Sequence, residues 1–167
     1  EDVHLDNDPP TYVARTARHK AEAVAHSLNL PISSLQSPQR HIIIAADTTV
    51  ALGDTILGKP TNPAEARAML RALRDRTHAV HTAVCVLEPA VGRELVSVHT
   101  AAVTMRDYSD AEIDAYIATG DPFDKAGAYA IQHPTFRPVA RLNGCYLGVV
   151  GLSLCDLIPL LRQLDVP

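Results

Sequence analysis

A chain of 167 residues, 47% of them hydrophobic, is long enough for one domain with a sizeable core. A formal charge of −4, with five tyrosines, two phenylalanines and no tryptophan, supplies neither the basic footprint nor the stacking platform that polymeric nucleic acid requires. Three cysteines, odd in number and spread along the chain, fit neither a disulfide framework nor a structural zinc site and read as reduced core thiols, while the acidic opening EDVHLDNDPP and the lack of any apolar run near ~20 residues argue against a signal peptide or membrane span and for a cytoplasmic protein.

The periodicity alternates between helical and strand-like, which predicts an α/β domain. After Pro9 and Pro10 a helix puts Val13, Ala17, Val24 and Leu28 on one face. Lys20 falls inside that stripe, where an ammonium must find an anion or snorkel to an edge. HIIIAA, 41–46, has the length and β-branching of a central strand covered on both faces, and Asp47 stands at its end. Gly53 and Asp54 turn the chain back into TILGKP. Asn62, Pro63 and Glu65 read as N-cap, first-turn proline and capping-box acid of a helix burying Ala66, Met69, Leu70 and Leu73. THAVHTAVCVLEP and RELVSVHTAAVTMR, with Gly92 between them, alternate as a half-exposed antiparallel hairpin, a surface through which a homodimer could form. Ser109 and Glu112 make a capping box for a helix carrying Ile113, Tyr116 and Ile117 and ended by Gly120. DPFDKAGAYAIQ, a strand near RPVARL, an Asn143–Gly144 turn, a strand CYLGVVG and a last helix containing Pro159 complete the chain.

Polar groups thus gather at strand ends and adjoining loops: Asp47, Thr48, Lys59, Lys125 and Gln132, with Lys20 on its helix. Lysines act as point charges on phosphate oxygens and a carboxylate holds a hard cation, so the set suits a polyphosphate accompanied by a divalent cation. Neither a GxxxxGK phosphate loop, nor a glycine-rich dinucleotide turn, nor HExxH occurs. His78 and His81, taken to share one strand face, mimic metal ligands and are set aside as structural.

IIIAADTTV, ILGKP, NPAEARAMLRALRDRTHAVHTAV, DAEIDAYIATGDPFDKAGAYAIQ and LNGCYLGVVGLSL together resemble the Maf family of nucleoside triphosphate pyrophosphatases, also called septum formation inhibitors. The resemblance implies a single Maf-like domain over residues 1–167, with an elongated mixed twisted sheet flanked by helices around an active-site cleft, similar to inosine triphosphate pyrophosphatases. It further implies metal-dependent hydrolysis, with Mg²⁺ or Mn²⁺, of a nucleoside triphosphate to the monophosphate and pyrophosphate. ADTTV and KAGAYAIQ look like the subgroup acting on dTTP and UTP, with modified pyrimidine nucleotides as further candidates, rather than the 7-methyl-GTP subgroup. Carried over by motif, Asp47 would be the proton acceptor or a metal ligand, Lys20, Lys59 and Lys125 would bind phosphate, and Thr48 and Gln132 would set base preference. Glu1, near the family's acidic pair, would be a second metal ligand. The family's opening strand and SxSPRR loop have no counterpart before Glu1, and SPQR at 37–40 is out of order, so Arg40 is not given the role of that loop's arginine. The alternative implied is a non-catalytic nucleotide-binding regulator of cell division.

Overall fold

The computed structural model describes residues 8–30 and 40–166. Glu1, one of the expected metal ligands, and most of SPQR lie outside the described residues. Helix α1 (Pro9–Ser27) starts where the Asp8 carboxylate accepts the Thr11 N–H at 3.2 Å and Pro9 occupies the first turn. Strands β1 (Ile43–Leu52) and β2 (Thr55–Leu57) form a tight hairpin. Helix α2 (Pro63–Leu73) is capped by Asn62, whose side chain accepts the Glu65 N–H at 2.9 Å. Strands β3 (Thr77–Glu88) and β4 (Arg93–Met105) follow, joined by a 3₁₀ turn, and then α3 (Asp110–Ala118) with the expected Ser109–Glu112 capping box. After two further 3₁₀ turns come β5 (Val139–Asn143), the short α4 (Tyr146–Val150) and α5 (Leu154–Gln163), with Pro159 inside it. No helix among the described residues is long and apolar enough to cross a membrane.

The strands form one sheet in the order β2-β1-β3-β4-β5. The class is the one expected, helices flanking a sheet; the expected mixed sheet is, over the described residues, antiparallel in every pairing. One face is covered by α1, whose Val13, Ala17, Ala21 and Ala25 lie against Ile43, Ala83, Cys85 and Leu87. The buried stripe therefore follows the alanines at i, i+4 spacing, and Val24 and Leu28, expected inside it, are exposed. Small side chains let the helix axis approach the strands closely, which aliphatic residues at those positions would not.

On the opposite face two clusters flank a gap. Leu70, Leu73, Ile113 and Tyr116 of α2 and α3 pack with Val50, Val80, Val103 and Met105 at one end. Leu157, Leu160 and Leu164 of α5 and its C-terminal edge pack on Val84 and Val86 at the other. Helix α4 crosses between them, where a strand was expected. Gly144 explains the difference: at φ +139 its missing Cβ would stand 2.6 Å from the Ala101 Cβ, and the next residue, Cys145, donates its N–H to His99 Nε2 at 2.9 Å. Those constraints aim the chain across the sheet rather than along an edge.

Burial along β3 is continuous from Val80 to Glu88, because it has strands on both sides and helices on both faces. Within the hairpin it is thus β4 that keeps the half-exposed pattern expected of both strands, while β3 is enclosed. His78 and His81, three residues apart, face opposite sides: His78 bonds Tyr129 on the cleft side, and His81 bonds Thr100 at 2.9 Å on the α1 side. They are not a ligand pair.

Candidate active site

Asp47 does not end its strand. It sits mid-way along β1, opposite Ala83 of β3, and the strand runs on to Leu52. Its exposure has another origin: β2 pairs with β1 only at Val50, Ala51 and Leu52, so among the described strands the outer edge from Ile43 to Thr49 is uncovered. The rule placing ligands beyond the carboxyl ends of parallel strands does not apply to this antiparallel sheet. An uncovered edge beside a central strand does the same work.

Around that edge lies a cleft of about 300 Å³, within the range of small-molecule sites. It brings together Lys20, Asp47, Thr48, Lys59, Lys125 and Gln132, every sequence-predicted site residue that falls in the described region. Lys20 flanks the alanine stripe of α1 and reaches over the edge, its Nζ 2.5 Å from Asp47 Oδ1 and 3.2 Å from the Ala46 carbonyl. The anion it needs is therefore Asp47. The carboxylate side chain is 16% exposed and the lysine 51%, so the pair is open to the cleft from one side.

Lys59 follows β2 and is exposed, with no ion pair among the described residues. Lys125 lies between two 3₁₀ turns, bonded to Asp124 and 3.6 Å from Asp121. The Asp124 hydrogen bond raises the Lys125 pKa and lowers that of Asp124, so both stay charged near neutrality. Asp124 also lines the cleft, a residue the sequence reading missed. Three ammonium groups against the carboxylates of Asp47 and Asp124 leave one net positive charge in the cleft.

The Lys125 segment is held from behind. Tyr116 of α3 donates its hydroxyl to Asp121 at 2.6 Å and accepts the Ala130 N–H at 3.1 Å, clamping both ends of the 121–130 segment. Its middle docks on the β1–β2 hairpin, where Gly127 donates its N–H to the Gly58 carbonyl at 3.0 Å. Gly127 has φ +68, and a Cβ there would stand 2.9 Å from Val50 Cγ1; the glycine serves approach to a neighbouring strand.

Thr48, on the opposite face of β1 from Asp47, points to the gap under α4, with its hydroxyl 3.0 Å from that of Thr82. Tyr129 forms part of the cleft floor, backed by His78, whose Nε2 lies 2.8 Å from its hydroxyl. Burial holds His78 well below the usual histidine range, at about 4, and raises the Tyr129 phenol, so both are neutral. Arg40 does not line the cleft and is paired with Glu88 at 2.7 Å and bonded to the Leu164 carbonyl. The thiols differ from expectation. Cys85 is a core residue, but Cys145 is half-buried, Cys155 is exposed, and their sulfurs are 3.5 Å apart.

The model of the family described as Maf-like protein matches residues 1–164. The chain belongs to the Maf family. Among curated relatives, a dTTP/UTP pyrophosphatase of Dictyoglomus thermophilum is 45% identical over 148 residues, covering 88% of this chain and 77% of the relative. One of Thermomicrobium roseum is 48% identical over 160 residues, 95% of this chain and 67% of the relative, and one of Anaeromyxobacter dehalogenans is 44% identical over 166 residues, 98% and 78% respectively. Within this Maf chain, Asp124 and Tyr129 carry no sequence signal of their own; only the cleft identifies them, although both lie inside the DPFDKAGAYAIQ motif.

Proposed function

We propose that this Maf chain hydrolyses dTTP and UTP to the monophosphate and pyrophosphate, with Mg²⁺ or Mn²⁺ bound alongside the triphosphate. The observation that carries the reading is the convergence, from a helix, a hairpin exit and a loop, of Lys20, Lys59 and Lys125 on the one cleft that the strand carboxylate Asp47 also lines, with Lys20 bonded to it. The names of the relatives support the reaction and the bases.

The chemistry asks for little else. A water attacks the α-phosphorus in line, and negative charge accumulates on the departing pyrophosphate, so catalysis is mostly positioning and cationic stabilisation. Asp47 takes the proton of the attacking water; Lys20, bonded to Oδ1, fixes the carboxylate's orientation. Lys59 and Lys125, on the other wall, hold the β- and γ-phosphates. Thr48 and Gln132 meet the base.

A hard cation fits this set in one way. Among the described residues no three His, Cys, Asp or Glu side chains cluster as a metal cage. A cation held by one or two carboxylates and the substrate's own phosphates needs none, and Asp47 supplies the carboxylate. When bound, it would neutralise phosphate charge and acidify the water.

The test is to incubate the protein with Mg²⁺ or Mn²⁺ and a panel of nucleoside triphosphates and to resolve the products. Monophosphate and pyrophosphate, fastest from dTTP or UTP, is the expected result. Diphosphate with phosphate would put the attack on another phosphorus, and binding without turnover would leave a nucleotide-binding regulator.

A further inference from the structure

Thr82 lies within a stretch that resembles the family but is given no role by it, yet it decides what Thr48 can offer a ligand. It is buried (1% exposed) in the middle of the central strand β3, directly across from Thr48. Its Oγ1 lies 2.7 Å from the Gly148 carbonyl of α4 and 3.0 Å from Thr48 Oγ1. A hydroxyl has one hydrogen and a carbonyl oxygen has none. Two oxygens at 2.7 Å are held together only by a hydrogen between them, so the Thr82 hydrogen goes to Gly148. The contact with Thr48 must then run the other way, with Thr48 donating and Thr82 accepting. That spends the only hydrogen of Thr48, and the side it turns to the cleft presents lone pairs alone.

A hydroxyl in that state is no partner for phosphate oxygens, which only accept. It is a partner for an N–H. Gln132 cannot make the same choice, because among the described residues nothing holds its exposed amide, which can turn either its oxygen or its NH₂ to a ligand. Thr48 is the fixed member of the pair, and Thr82 fixes it.

We propose that Thr82 is the positioning residue for base selection: by holding the Thr48 hydroxyl as an acceptor, it favours pyrimidines whose ring N3 carries a hydrogen, uracil and thymine, over cytosine, whose N3 is itself an acceptor. This rests on the reading of the cleft as a nucleoside triphosphate site. Uracil N3–H completes the chain to Thr48, Thr82 and Gly148, every hydroxyl donating once. Cytosine sets lone pair against lone pair at the same place.

The experiment compares kcat/KM for UTP and CTP, and the Kd of their non-hydrolysable analogues, in the full chain and in Thr82→Val, a near-isosteric change that frees the Thr48 hydrogen. The UTP:CTP ratio should fall by about tenfold or more, through loss on UTP with CTP unchanged or improved. Thr82→Ser should restore it. Equal losses on UTP and CTP would make Thr82 mere support for α4 and would overturn the proposal. Should Thr82→Val fail to fold, Thr48→Val must show the same collapse of the ratio, and an unchanged ratio there overturns the proposal equally. A wild-type protein without preference for UTP over CTP in turnover or binding would instead sink the reading of the cleft, and this proposal with it.

Discussion

Strands β1 and β3 are neighbours, both apolar runs interrupted by threonine and by ionisable residues, Asp47 on β1 and His78, His81 and Glu88 on β3, and they are put to opposite uses. On β3 the buried Thr82, His81 and His78 each find a partner within the protein: Thr82 in Gly148 and Thr48, His81 in Thr100, His78 in Tyr129. On β1 the polar residues Asp47 and Thr48 face a cleft. Position in the sheet makes the difference. β3 has strands on both sides, whereas among the described strands β1 is covered on its outer side only over its last three residues. A polar residue costs least where water or ligand can still reach it, so the uncovered edge is where chemistry can be kept without sacrificing the core.

The strongest way to break that comparison is to neutralise the carboxylate on β1. Asp47→Asn keeps the volume and removes the proton acceptor, and kcat should fall by roughly 10² to 10⁴, about 3–5 kcal/mol of barrier, with the unfolding transition little changed. Retained turnover would move Asp47 out of the reaction. His81→Gln on β3 is the matched control: it should lower the melting temperature and spare kcat.

A pH series sharpens the same contrast from the β3 side. Burial keeps the folded-state pKa of His78 at about 4 against an ordinary 6.5. As pH falls below 6.5 the unfolded chain takes up a proton there that the native state refuses until about pH 4. Stability is therefore whole above 6.5, is lost progressively down to about 4, and changes no further through this group below that. The loss approaches about 3 kcal/mol, from 1.36 kcal/mol per pKa unit. Urea unfolding at pH 7 and pH 4.5 should show this slope in the wild type and lack His78's share of it in His78→Leu; identical slopes would mean that the histidine is solvated.

How far the sequence carried can be traced on the same elements. Helix caps were legible, because Asn62 with Pro63, and Ser109 with Glu112, act over three residues and owe nothing to distant contacts. The residues that ADT, GKP and DKAG point to do line one cleft. What failed was everything set by tertiary covering. The exact face of α1 depends on which side chains are small enough to meet the sheet; the burial of β3 depends on helices far off in sequence; and α4 is a helix because Gly144 and His99 steer it, although CYLGVVG has strand composition. Thr82 could not be singled out at all, since its role arises only when β1, β3 and α4 are brought together. Cys145 and Cys155, ten residues apart, carried no hint that their sulfurs meet.

The smallest of the expected effects bears on what fastens the Lys125 segment to β1. Gly127 stands at φ +68, and an added Cβ would meet Val50 Cγ1 at 2.9 Å, closer than such atoms pack. Gly127→Ala therefore combines left-handed strain with a push against the strand, together about 2 kcal/mol, which in a chain of this size lowers the melting temperature by roughly 4–8 °C. Val50→Ala in the same chain opens space for the methyl but leaves φ untouched, so it relieves the steric part and not the strain. Because Lys125 is two residues away, KM for the triphosphate should rise more than kcat falls. If stability drops while KM holds, the clamp from Tyr116 to Asp121 and Ala130 is enough to place Lys125, and the docking of the loop on β1 serves the fold alone.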